Sequence, residues 1–105
     1  MTPEQPYADI SMLIDGRWIS SEERQSSPVV NPATGKVIGQ VPHATPADLE
    51  AAVSSARKGF DVWRKTSAYE RAKVLREASA LLRERAESIA RILTQEQGKP
   101  LFEAR

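Results

Sequence analysis

The sequence predicts an α/β fold in which an N-terminal β-meander precedes an antiparallel helix pair. Three observations carry this. Apolar residues recur at helical spacing over 67–97, with steps of three and four. Two turn signatures, Asp15-Gly16 and Asn31-Pro32-Ala33-Thr34-Gly35, interrupt short apolar runs. Between these regions, Thr45-Pro46-Ala47-Asp48 has the composition of a helix start.

Residues 1–10 are polar and contain Pro3 and Pro6, which predicts a flexible N-terminal arm ahead of a folded unit over 11–105. Met12-Leu13-Ile14 and Arg17-Trp18-Ile19 then read as two strands joined at Asp15-Gly16. A type I′ turn needs positive φ at both central residues, and Asp-Gly meets that need. Residues 20–28 read as a polar loop. Val29-Val30 runs into the Asn31-Pro32 turn, and 36–41 returns as a strand closed by Pro42. Two such hairpins alone are barely stable, so the meander needs a helical partner.

The first helix is predicted over about 46–64. Thr45 is its cap, Pro46 its first residue, and Asp48 places an acid against the positive end of the helix dipole. Leu49, Ala52, Val53, Ala56, Phe60 and Trp63 form a stripe of ordinary width. A short turn leads into a long helix over 67–97. Ser67 and Glu70 form an S-x-x-E capping box, Gly98 suits the left-handed helix stop, and Pro100 cannot continue the helix. Ala72, Leu75, Ala78, Leu82, Ala86, Ile89 and Leu93 share one face, and Val74, Leu81 and Ile92 widen it to nearly half the cylinder. Glu87 precedes Arg91 by four residues on the wet side, the favourable order for an ion pair. After Pro100 another helical pattern begins at Leu101-Phe102-Glu103-Ala104-Arg105. The wide stripe and this last pattern predict the N-terminal portion of something larger.

With 40% hydrophobic and 28% charged residues, the 105-residue chain has the composition of an ordinary folded protein. A net charge of +1 provides no field for nucleic acid or an anionic membrane. The arginines of the long helix are interleaved with Glu70, Glu77, Glu84, Glu87 and Glu96, which removes the unneutralised basic face that phosphate binding requires. No apolar run approaches a membrane span, and the N-terminus lacks the basic flank and apolar centre of a secretory signal. The expectation is a cytoplasmic protein with no nucleic-acid or membrane partner.

Zero cysteines exclude a disulfide, a thiolate metal site and a thiol nucleophile within this chain. Glycines at 16, 35, 39, 59 and 98 permit neither a dinucleotide fingerprint nor a phosphate loop. His43 is the sole histidine and reads as a plain loop residue. Glu22 and Glu23 read as solvated. Arg71 and Arg85 project toward the apolar half of the long helix; they snorkel, pair with a carboxylate, or contact an anionic ligand. Trp18, Phe60 and Trp63 read as packing residues. No catalytic and no coenzyme-binding residue is assigned.

The segments nevertheless follow a recognisable order. Leu13-Ile14-Asp15-Gly16-Arg17-Trp18 and Val30-Asn31-Pro32-Ala33-Thr34-Gly35-Lys36-Val37-Ile38-Gly39 resemble the opening of the NAD(P)-dependent aldehyde dehydrogenases. So do residues 52–63, Glu70-Arg71-Ala72 with Leu75-Arg76, and most specifically Leu93-Thr94-Gln95-Glu96-Gln97-Gly98-Lys99-Pro100-Leu101. Within that family Glu96-Gln97-Gly98-Lys99-Pro100 is most similar to the succinate-semialdehyde dehydrogenase branch. The resemblance implies that 11–105 is the first, incomplete part of a Rossmann-like coenzyme-binding domain. It implies oxidation of an aldehyde to the acid with NAD or NADP, through a cysteine thioester formed outside this span. Asn31, the sole asparagine, lies in the turn and not at the oxyanion position. The implied partners are the remainder of its own subunit, a small aldehyde, and further copies in a homodimer or homotetramer. The resemblance also implies a monovalent cation held by main-chain carbonyls, at positions matching Val29, Val30 and Glu96, where Glu96 replaces a frequent aspartate. A rival reading is a stand-alone helical-hairpin interaction module whose wide apolar face binds a partner.

Overall fold

Asp15 and Gly16 take φ of 51° and 75°, the backbone that a type I′ turn demands. They join strand β1 (Ser11–Ile14) to β2 (Arg17–Ser20) in antiparallel register, with Met12 opposite Ile19 and Leu13 opposite Trp18. The computed structural model describes residues 7–105, so the first six residues of the expected arm lie outside the described residues. A second antiparallel ribbon pairs β3 (Ser26–Val30) with β4 (Val37–Pro42), and its register shifts between Val29 and Val30. The meander is thus realised as two separate two-stranded ribbons, with β1 lying against β4.

The loop expected over 20–28 is partly ordered. A 3₁₀ turn occupies Ser21–Glu23, where the Glu23 carboxylate accepts the Ser20 amide at 2.9 Å. Strand β3 starts three residues earlier than Val29, with Ser26, Ser27 and Pro28 included. Proline is tolerated there because each strand of a two-stranded ribbon is an edge, where a missing N–H leaves no ladder partner unpaired.

Helix α1 (Pro46–Lys65) opens with a complete capping box. The Thr45 hydroxyl accepts the Asp48 amide at 3.1 Å, and the Asp48 carboxylate accepts the Thr45 amide at 2.9 Å. Helix α2 (Ala68–Glu84) starts at Ser67, whose hydroxyl accepts the Glu70 amide at 3.2 Å. That is the hydroxyl half of the expected box.

The single helix expected over 67–97 is two helices. Arg85, at φ −97° and ψ 10°, separates α2 from α3 (Ala86–Gln97). Neither proline nor glycine stands at the break. The Arg85 amide still donates to the Leu81 carbonyl at 3.0 Å, and its carbonyl accepts the Ile89 amide at 2.9 Å. One residue has stepped into the bridge region while the hydrogen-bond ladder continues across it. The two halves have different neighbours. Ala90 of α3 is buried and α3 packs against α4 (Leu101–Ala104), whereas α2 has no buried residue. The predicted Glu87–Arg91 ion pair forms at 3.3 Å, and Glu87 also accepts Nη2 and Nε of Arg105 at 2.9 and 3.0 Å.

Burial is sparse. Among apolar residues Ile19 and Ala90 are buried, at 4% and 1% exposure, while Leu49, Phe60 and Leu75 are 63–64% exposed. The radius of gyration is 17.2 Å, against about 13 Å for a compact domain of this length. The helices α1 and α2 therefore present the stripes that their periodicity builds, and those stripes stay open.

Candidate functional site

The Asn31-Pro32 turn is built by Asn31 through its side-chain oxygen and both of its backbone polar groups. Its side-chain oxygen accepts the Ala33 amide at 2.9 Å, its carbonyl accepts Gly35 at 2.8 Å, and its amide donates to the Lys36 carbonyl at 2.9 Å. The residue is buried. Its sequence role as a turn residue holds.

The end of α3 meets this turn. Gly98 takes φ 75°, and its amide donates to the Thr94 carbonyl at 2.8 Å. A side chain there would be both strained and obstructed, since a Cβ would stand 2.9 Å from Cγ of Pro32. Val29 and Val30 immediately precede the turn, at the register shift of β3. Glu96 lies in the last turn of α3. Its carbonyl would ordinarily accept the amide four residues on, but that residue is Pro100, which has no N–H. The contact between Gly98 and Pro32 thus brings the Glu96 helix end against the turn that follows Val29 and Val30.

Tyr7 belongs to the same cluster, and the sequence reading placed it in the arm. Its ring lies over Gly39 of β4, where a Cβ would stand 2.9 Å from Cδ1 and 3.0 Å from Cε1, and Ile10 lines the same spot. Its hydroxyl donates to the Glu96 carboxylate. Burial, then the hydrogen bond to Glu96 and its charge, push the Tyr7 phenol up to about 12. An aromatic residue isolated in a polar stretch was the available signal.

A second polar cluster joins the 3₁₀ turn to α1. Arg24 grips Asp48 with Nε and Nη2 at 2.7 and 2.8 Å, and its Nη1 donates to the Glu23 carbonyl at 2.8 Å. The Arg24 hydrogen bond, then the Thr45 amide, hold the Asp48 carboxyl well below the usual carboxylate range. Twenty-four positions separate these partners, so no local pattern announces them. Elsewhere, His43 pairs with the Ser27 hydroxyl and donates its amide to the Gln25 carbonyl. It is a loop residue tied to the ribbon. Glu23 pairs with Arg17 at 2.9 Å, and Glu22 is exposed. Arg85 is exposed at the helix break, whereas Arg71 is half-buried with Nε lacking a hydrogen-bond partner. Among the described residues, no group of three His, Cys, Asp or Glu side chains converges in a metal-binding arrangement. A cation at the α3 end would rest on carbonyl oxygens, which suit a hard ion.

A sequence model of the aldehyde dehydrogenase family matches residues 18–105. The chain belongs to that family. It is 44% identical over 92 residues to a 3-sulfolactaldehyde dehydrogenase of Pseudomonas putida, covering 88% of this chain and 19% of the relative. It is 40% identical over 103 residues to a malonate-semialdehyde dehydrogenase of Lacticaseibacillus casei, covering 98% and 21%. The fold superposes on a succinate-semialdehyde dehydrogenase of Burkholderia pseudomallei with TM-score 0.83 at 36% identity, covering 90% of this chain and 20% of that one. It also superposes on a Sinorhizobium meliloti dehydrogenase complexed with NAD, with TM-score 0.82 at 35% identity, covering 93% and 20%. The chain spans about a fifth of the length of the relatives it matches. Its α/β order of ribbons and helices is that of aldehyde dehydrogenases.

Proposed function

We propose that residues 11–105, preceded by an arm over 1–10, form the N-terminal part of the coenzyme-binding domain of an NAD(P)-dependent aldehyde dehydrogenase. The observation that carries this is the family match over 18–105. The enzyme oxidises a small aldehyde bearing an acidic group, with succinate semialdehyde as the leading substrate, to the carboxylic acid. Relatives named for malonate semialdehyde and 3-sulfolactaldehyde support the acidic class. The thioester chemistry belongs to residues outside these 105, since the chain has no cysteine, and the segment alone is inactive. A relative solved with NAD supports a nicotinamide coenzyme, NAD or NADP.

The subunit is cytoplasmic and assembles as a homodimer or homotetramer. No helix among the described residues is long and apolar enough to cross a membrane. The open faces of α1 and α2 are covered by the remainder of the subunit, which removes the need for a separate interaction module. Val29, Val30 and Glu96 hold a monovalent cation through their carbonyls. The Glu96 carbonyl without a helical partner, beside the Pro32 turn, supports that assignment.

The test is to express the full reading frame and follow coenzyme reduction with a panel of acidic semialdehydes. Turnover of succinate semialdehyde by the whole protein, and none by residues 1–105, is the expected result. No reduction of either coenzyme with any member of the panel overturns the proposal.

A further inference from the structure

We infer that Tyr7 is a positioning residue: it latches the segment ahead of β1 onto the C-terminal end of α3 and thereby sets the Glu96 carbonyl at the cation site. Two elements distant in sequence, β4 and α3, converge on this one side chain. Its ring occupies the surface of β4 at Gly39, a position whose lack of Cβ is what admits the ring. Its hydroxyl donates to the carboxylate of Glu96, 89 residues away. A hydrogen bond to a carboxylate is stronger than one between neutral groups.

Glu96 is held from a second direction through its helix end. Gly98 is pressed by the Pro32 ring, and the left-handed Gly98 geometry fixes where the last turn of α3 stops. Without Tyr7, the exposed Glu96 side chain is free to leave its rotamer, and the carbonyl of the same residue, which lacks a helical partner at Pro100, loses one of its two restraints. Partners of this kind, one layer behind the ligands, tune metal affinity by orienting them.

The cation consequence rests on the site proposed above, so the test separates the two. The full-length protein and its Tyr7→Phe and Glu96→Gln variants are compared by amide hydrogen exchange and by thermal unfolding. The unfolding series uses increasing potassium or sodium chloride at constant ionic strength, made up with choline chloride. Tyr7→Phe keeps the ring over Gly39 and removes the hydroxyl. It is expected to raise exchange at 94–98 about tenfold and to shift the cation midpoint about tenfold upward. Glu96→Gln should do much the same, and the double variant little more. Unchanged exchange at 94–98 in Tyr7→Phe overturns the latch. Faster exchange with an unshifted midpoint overturns the positioning of the cation site. Faster exchange in a protein whose wild type shows no cation-specific stabilisation supports the latch and removes the cation reading.

Discussion

The two ends of this molecule are held by different forces. In the ribbons and at the end of α3, polar and steric contacts are mutually satisfied: Asn31 closes its turn, Arg24 grips Asp48, Pro32 presses Gly98 and Tyr7 covers Gly39. Along α1 and α2 the large side chains stand in solvent, and the Arg64 guanidinium lies 5.9 Å from the ring centre of the exposed Phe60. The difference is instructive. Turn and cap chemistry is complete within a few residues, so it builds definite geometry with little apolar burial. Helical periodicity specifies only which face is to be covered, and the cover must come from elsewhere.

The most direct way to break this comparison is amide exchange on residues 1–105 alone. A helix in a protein takes most of its stability from packing its apolar face, which α2 leaves open, and local openings set the exchange rate. Amides of α2 are expected to exchange about a hundredfold faster than those of the β3–β4 ribbon. Equal protection in α2 would show that the helical half is self-sufficient, and with a single cooperative unfolding transition it would revive the interaction module.

The next largest effect is at Asp48. Its folded carboxyl is held below the usual range, so its stabilisation is fully present above the unfolded value, about pH 4, and is lost as pH falls through the folded value. Asp48→Asn should lower Tm by several degrees at neutral pH, and the gap to wild type should close as pH drops below about 4. A gap that widens in acid contradicts the linkage. Glu87→Gln, which removes exposed pairs with Arg91 and Arg105, should change Tm far less, because solvent screens such pairs.

These contrasts explain what the sequence made legible. The Asp15-Gly16 turn, the Thr45 cap and the Gly98 stop are encoded by neighbours within four residues, and all were readable; that Asp48 closes a full box with Thr45 appeared only in the structure. The break at Arg85 carries no proline or glycine, so no residue type there announces it. The early start of β3 came from pairing with β4, which overrides a Ser-Ser-Pro sequence that reads as loop. Arg24–Asp48 and Tyr7–Glu96 are long-range pairs whose members look solvated in isolation. For the candidate site, Val29, Val30 and Glu96 were named from family resemblance. No spacing rule links a strand end to a helix end 66 residues on, and only the fold brings the two together.

A pair of glycines gives the finest version of the comparison. At Gly39 a Cβ would meet the Tyr7 ring at 2.9 Å, so Gly39→Ala must displace that ring, at a cost of about 1–3 kcal/mol. At Gly59, inside α1, nothing lies within 4 Å of the same added atom. Alanine there removes glycine's backbone freedom in the unfolded chain, and Gly59→Ala should stabilise residues 1–105 by about 0.5–1 kcal/mol in urea unfolding. Repeating the measurement on the full-length protein sharpens the result. If the gain persists, α1 is open to solvent at that point in the whole subunit. If it turns into a loss, the extra methyl meets a surface absent from these 105 residues, and the cover of the helical half reaches as far as position 59.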